Sequence, residues 1–154
     1  KGNEKYKLFA LNLLSEKPFL FDKFENTIFE LIAFSDIAIA EKALSNIPNS
    51  FLENKINQHK LIDILDTAHN KIKYAIIYRL QDISELDYTS ILFLFDKYNS
   101  GKISSGALNL IYDMLTSDLF QNKKIKKELI KFSRFSDNYV KNLTKSLLEK
   151  QTIH

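Results

Sequence analysis

Apolar and polar positions alternate along this chain at the 3.6-residue period of amphipathic helices from one end to the other. Glu4 to Leu14 carries Leu8, Leu11 and, one residue off, Phe9 and Leu13. Pro18 ends that run, because a proline disfavours helical geometry in the residue before it. Phe19 to Ala33 resumes the pattern with Leu20, Phe24, Ile28, Leu31 and Ile32, and Ile37 to Ile47 follows with Ala40, Ala43 and Leu44 on one face. Phe51 to Thr67 is diluted by Asn54, Asn57 and Gln58 before Leu61, Ile64, Leu65 and Ala68 restore a stripe. Lys71 to Gln81, Tyr88 to Tyr98, Lys102 to Leu115, Leu119 to Phe132 and Asn138 to Lys150 complete the series. The pattern predicts about nine helices and no strand.

Between these runs lie short polar corners at Ser35-Asp36, His69-Asn70, Asn99-Ser100-Gly101, Ser117-Asp118 and Ser136-Asp137. Ser35 or Asp36, and Ser117-Asp118, suit N-caps, whose side-chain oxygen accepts from an otherwise unpaired N–H of the first turn. Four of the helices that follow start alike. Ile37, Ile72, Ile103 and Val140 recur at intervals of 35, 31 and 37 residues, and three positions on come Ala40, Ala75, Gly106 and Leu143. Leu44, Leu110 and Leu147 stand seven on, where the second copy has Arg79 and then Leu80. The small residues are expected to let paired helices approach closely. A helix pair repeating at this period marks an α-solenoid, in which each hairpin buries its apolar face on its neighbours.

The segments SDIAIAEKAL, HNKIKYAIIYRL, SGKISSGALNL and SDNYVKNLTKSLL resemble the shorter repeats of the HEAT family. They share a polar corner, a β-branched residue and small residues, with the basic position kept as Lys73 and Lys141 and replaced by Ala38 and Ser104. The corner aspartate is kept as Asp36 and Asp137. The expected fold is all-α: an α-solenoid (α-α superhelix) of about four hairpins plus an N-terminal helix, with 1–154 as one repeat domain. The chain opens on Lys-Gly-Asn-Glu, which is expected of a fragment of a longer protein. The resemblance implies a curved scaffold whose second helices line the concave face, and no catalysis. Lys73, Tyr74, Lys102, Ser105, Tyr139, Lys141, Asn142 and Lys145, early on those helices, are the expected partner-binding residues. Tyrosine offers a low-entropy anchor there and lysine a steering charge, although Tyr74 and Tyr139 equally suit burial between repeats.

Composition narrows the function classes. Three glycines and two prolines in 154 residues leave little room for the turns of an all-β chain, and the hydrophobic share of 45% is enough for a core. The absence of cysteine removes disulfides, thiolate nucleophiles and Cys-ligated zinc. It also fits a reducing compartment, and a cytoplasmic location is expected. No apolar run approaches the roughly 20 residues of a membrane span. The 22 basic and 19 acidic residues are interleaved and leave a net charge of only +3.

Four constellations invite chemistry. Asp96 to Ala107 resembles an EF-hand loop at Asp96 and Gly101, but Tyr98, Ser100 and Ala107 replace its other acidic ligands. Gly101 is then better explained as a turn residue. His59, Asp63, Asp66 and Asn70 fall on one helical stripe that could ligate a metal, yet they lie opposite an apolar face and suit a solvated one. Lys123, Lys124, Lys126, Lys127, Lys131 and Arg134 form the densest basic cluster, the alternative site for a nucleic acid or acidic partner. Ordinary solvation of a helix face competes with that reading. No nucleophile elbow, P-loop or dinucleotide fingerprint occurs, and three histidines have no patterned partner. The expected activity is therefore binding to another protein or domain, without enzyme or cofactor.

Overall fold

Every regular element is helical in the computed structural model, which describes residues 2–84 and 86–152. By its internal packing the chain divides into two compact units, residues 1–86 and 87–154. The first holds α1 (Gly2–Glu16), a 3-10 turn at Pro18–Leu20, α2 (Phe21–Phe34), α3 (Ile37–Ser45), α4 (Asn49–Leu52), α5 (Lys55–Asp63), a 3-10 turn at Ile64–Asp66 and α6 (Asn70–Gln81). The second holds α7 (Tyr88–Asn99), α8 (Ser105–Tyr112), α9 (Ser117–Gln121), α10 (Lys123–Phe132) and α11 (Asn138–Thr152).

The two units are built alike. In the first, α2 pairs with α3, and α5 with its 3-10 extension pairs with α6. The second helices α3 and α6 then pack on each other, while α1 lies against α3. In the second unit α7 pairs with α8 and α10 with α11, and first packs on first and second on second. The core follows the apolar stripes: Leu11, Phe21, Ile28, Ile32, Ile39, Ala40, Leu44, Leu61, Leu65, Ile72, Ile76 and Leu80 are buried in one unit. In the other, Phe95, Phe132, Tyr98, Phe135 and Tyr112 meet largely edge to face, with Phe95 and Phe132 centroids 5.2 Å apart. Such pairs favour offset or edge-on geometry because the ring edge is positive and the face negative.

Asp36 caps α3 as expected, but the cap expected at Ser117-Asp118 is Thr116, which accepts from Leu119 N–H at 3.4 Å. Asp36 accepts from Ile39 N–H, Asp137 from Tyr139 and Val140 N–H, and His69 Nδ1 from Lys71 N–H at 3.2 Å. Two expected helices are split, however. The run 51–67 breaks at Glu53-Asn54, where Asn54 caps α5 by accepting from Ile56 N–H. Asn57 and Gln58, which look like mere dilution, reach back 2.8 and 2.9 Å to the Phe51 and Leu52 carbonyls. Those carbonyls end α4 and have no helical N–H to accept. Likewise 119–132 becomes α9 and α10, separated by Asn122, whose side chain caps α10.

The corner at Gly101 corrects another expected start. Gly101 N–H donates to Tyr98 O and Lys102 N–H to Lys97 O, both at 2.9 Å, and Gly101 has φ 71°. That is a Schellman end to α7, with glycine at the left-handed position. Helix α8 begins only at Ser105 after Ser104, so Ile103 is buried from the turn and Lys102 precedes the helix. Of the small residues expected between paired helices, Ala40 is fully buried and Ala75 half-buried, whereas Gly106 is exposed.

Candidate functional site: the second-helix faces

Burying Ile72, Ile76, Ile77 and Leu80 turns the opposite side of α6 outward. Tyr74 and Tyr78, one turn apart, are 37% and 53% exposed there. Lys71 reaches across to Glu41 of α3 at 2.9 Å and ties the two second helices together at the surface. Lys73 is half-buried. Arg79, where the other copies carry leucine, donates through Nη2 to the Ile47 carbonyl beyond the end of α3, at 2.5 Å. Burial lowers its pKa from the ordinary value, opposed by Asp82. Arg79 thus ties α6 to the turn after α3 at a position where the other copies carry leucine. Tyr78 escapes a reading based on the start of each repeat, although its i+4 spacing from Tyr74 and its place outside the buried stripe were available to find it.

In the second unit Val140 and Thr144 are fully buried, which leaves Tyr139 53% exposed. Asn142 and Lys145 are exposed on α11, whereas Lys141 is half-buried. Ser105, at the first position of α8, is half-buried, and Lys102 is exposed in the turn before it. The two second helices are joined inside by a hydrogen bond of 2.6 Å between the Tyr112 hydroxyl and Thr144 Oγ1. Thr144 itself donates to the Val140 carbonyl at 2.8 Å, so the tyrosine is the donor. Burial holds the Tyr112 phenol well above its usual range. Tyr98 is raised as well, by burial first and then by the Asp137 carboxylate.

The basic cluster is partly engaged. Lys124 lies 5.8 Å from the Tyr88 ring centroid and Lys126 5.8 Å from that of Phe120. Lys126 also donates to Gln121 at 2.7 Å, and Lys131 pairs with Glu128 at 2.5 Å. Lys123, Lys127 and Arg134 are exposed, and their side chains make no ion pair among the described residues. With Ile125, Leu129 and Phe132 buried, Lys123, Lys127 and Lys131 fall on one outward stripe at i, i+4 and i+8.

Of the metal stripe, His59 is half-buried and Asp63 and Asp66 are exposed. Among the described residues no three His, Asp or Glu side chains are grouped to hold an ion. No helix among them is long and apolar enough to cross a membrane. Neither models of protein families, nor curated proteins, nor solved structures yield any match to this chain.

Proposed function

We propose that this chain is a non-enzymatic, HEAT-like α-solenoid module that binds another protein, or another domain of its own, through its second helices. The observation that carries the reading is the like-on-like packing of hairpins within each unit, α3 on α6 and α8 on α11, with tyrosines left on the outer side. An exposed tyrosine flanked by lysine gives a rigid apolar contact with a polar tip at small entropic cost. Cytoplasmic location and action as a scaffold belong to the same proposal. The test compares binding partners recovered by wild type with those recovered by Tyr74→Ala, Lys73→Ala and Lys141→Ala, with helical content followed by circular dichroism. Partner loss at unchanged helicity is expected. Retention by all three variants overturns the reading.

A second reading, nucleic-acid binding along α10, is favoured by one specific observation. Lys123, Lys124, Lys126 and Lys127 crowd the first turn and a half of α10, which has no acidic residue in its first turn. Cations at that end oppose the helix dipole at about 0.3–1 kcal/mol each. Lys124 and Lys126 rest on the Tyr88 and Phe120 rings, whereas Lys123 and Lys127 gain no ion pair among the described residues, and the local rule these two break points to a ligand. The readout is a DNA or RNA titration at rising salt, in which each phosphate neutralised adds about one unit to the slope of log affinity against log salt. No binding at low salt removes this reading.

A further inference from the structure

By its sequence α1 is one more amphipathic helix, but its flank carries a groove that the packing does not fill. On α1 it is lined by Ala10 and Leu13, which are exposed, Leu14, which is half-buried, and Leu11, which is buried at its floor. They face Leu20, Phe24, Thr27, Ile28 and Leu31 of the 3-10 turn and α2 across a cavity of about 480 Å³. That volume lies within the range of small-molecule sites, roughly 300–1,000 Å³. Leu13 is 44% and Phe24 39% exposed at its mouth.

Both walls run straight. Positions 7, 10, 14 and 17 share one face along α1 and its end, and positions 20, 24, 27, 28 and 31 share one along α2. Lys7 and Lys17 stand at the two ends, about 15 Å apart by helical rise. Lys17 is held by the turn that closes α1: its N–H donates to Leu14 O and its carbonyl accepts from Leu20 N–H, both at 3.0 Å. Neither ammonium has an ion-pair partner among the described residues, and no acidic side chain among them lines the groove. Thr27 is the one other polar residue of those that line it.

We propose that this groove binds one linear fatty carboxylate, its chain between α1 and α2 and its head against Lys7 or Lys17. An apolar trough whose described lining is charged only at Lys7 and Lys17 selects an apolar chain with a terminal negative charge. A cation-headed chain of equal length meets repulsion at either end, and long lysine stems can cover the chain while keeping the ammonium in water. The site is independent of the second-helix faces.

The probe is laurate, titrated calorimetrically into the full chain below its critical micelle concentration, with dodecyltrimethylammonium as the cationic control. Saturable one-to-one laurate binding and no competition from the cation are expected. Lys7→Glu with Lys17→Glu should weaken laurate about tenfold, the scale of reversing two exposed charges that face the carboxylate. Ala10→Trp, on an exposed wall position, should fill the trough and abolish binding without touching the core. Equal affinity for both head groups overturns the proposal, as does laurate binding that survives Ala10→Trp. A chain that dimerises through this face and takes no laurate assigns the groove to a second copy. One that floats with anionic vesicles but shows no saturable laurate site assigns it to a membrane surface. Either result also overturns the proposal.

Discussion

At the scale of single residues, burial and hydrogen bonding combine most clearly in the Tyr112–Thr144 pair. Both side chains are buried, and Thr144 keeps its own acceptor at Val140 whatever happens to the tyrosine. Tyr112→Phe removes one donor and should cost about 1 kcal/mol. Thr144→Val keeps the shape but leaves the buried phenol without an acceptor, so about 1–3 kcal/mol should be lost. Urea midpoints rank the two, and equal or inverted costs refute the assignment of donor and acceptor. The same phenol sets a pH dependence. Its folded pKa is raised above the unfolded value near 10, so its contribution is complete below about pH 10 and is lost as pH climbs toward the folded value. The stability gap between wild type and Tyr112→Phe should therefore begin to shrink at about pH 10 and go on shrinking above it. A gap independent of pH is the contrary result. His69 offers a gain instead. Its ring nitrogen fills a place where aspartate is among the best caps, and His69→Asp should raise the thermal midpoint by the equivalent of roughly 0.5–1 kcal/mol.

Elements show where a sequence speaks and where it falls silent. Long stripes such as 21–34 and 70–81 and the cap Asp36 were legible, because a 3.6 period and an N-cap are local signals. Helices of four and five residues, α4 and α9, are too short to show a period and merged with their neighbours. Asn57 and Gln58 could be understood only once the carbonyls they serve were placed. The candidate surface was half legible. Spacing put Tyr74 and Tyr139 early on their helices, but exposure depends on what packs across from them, and the flank of α1 was hidden by two interleaved apolar pairs. Gly101 makes the element-scale prediction. Nothing lies within 4 Å of a β-carbon added there, so Gly101→Ala meets strain from φ alone, about 1–2 kcal/mol, and no clash. Gly101→Asn should recover part of it, measured by thermal melting. On α10, Lys123→Glu should stabilise the helix through its dipole while weakening any nucleic-acid affinity. Opposite signs from the two assays support a functional origin of the cluster, and a fall in stability contradicts it.

On the scale of the whole chain, charge and apolar exposure are divided between the two units. Residues 87–154 carry eleven basic and seven acidic side chains, whereas residues 1–86 carry eleven and twelve. The excess positive charge thus belongs to the unit with the α10 stripe, and electrostatic steering of an anionic polymer must come from there. The apolar trough belongs to the other unit, near neutral overall, and Lys7 and Lys17 are the charged residues among the described ones that line it. Each unit also has its own buried core, and the aromatic cluster around Phe95 and Phe132 lies wholly within the second. A chain of 68 residues is close to the lower limit at which one core suffices, since roughly 60 residues bury only about 60% of their unfolded surface. Fragments 1–86 and 87–154 should therefore each melt cooperatively by circular dichroism, the second at the lower temperature. Laurate binding should then segregate with 1–86, and salt-dependent binding to nucleic acid, if α10 supports it, with 87–154. A fragment without a cooperative transition refutes self-sufficient cores, while folded fragments with exchanged activities would place the two surfaces in the wrong units.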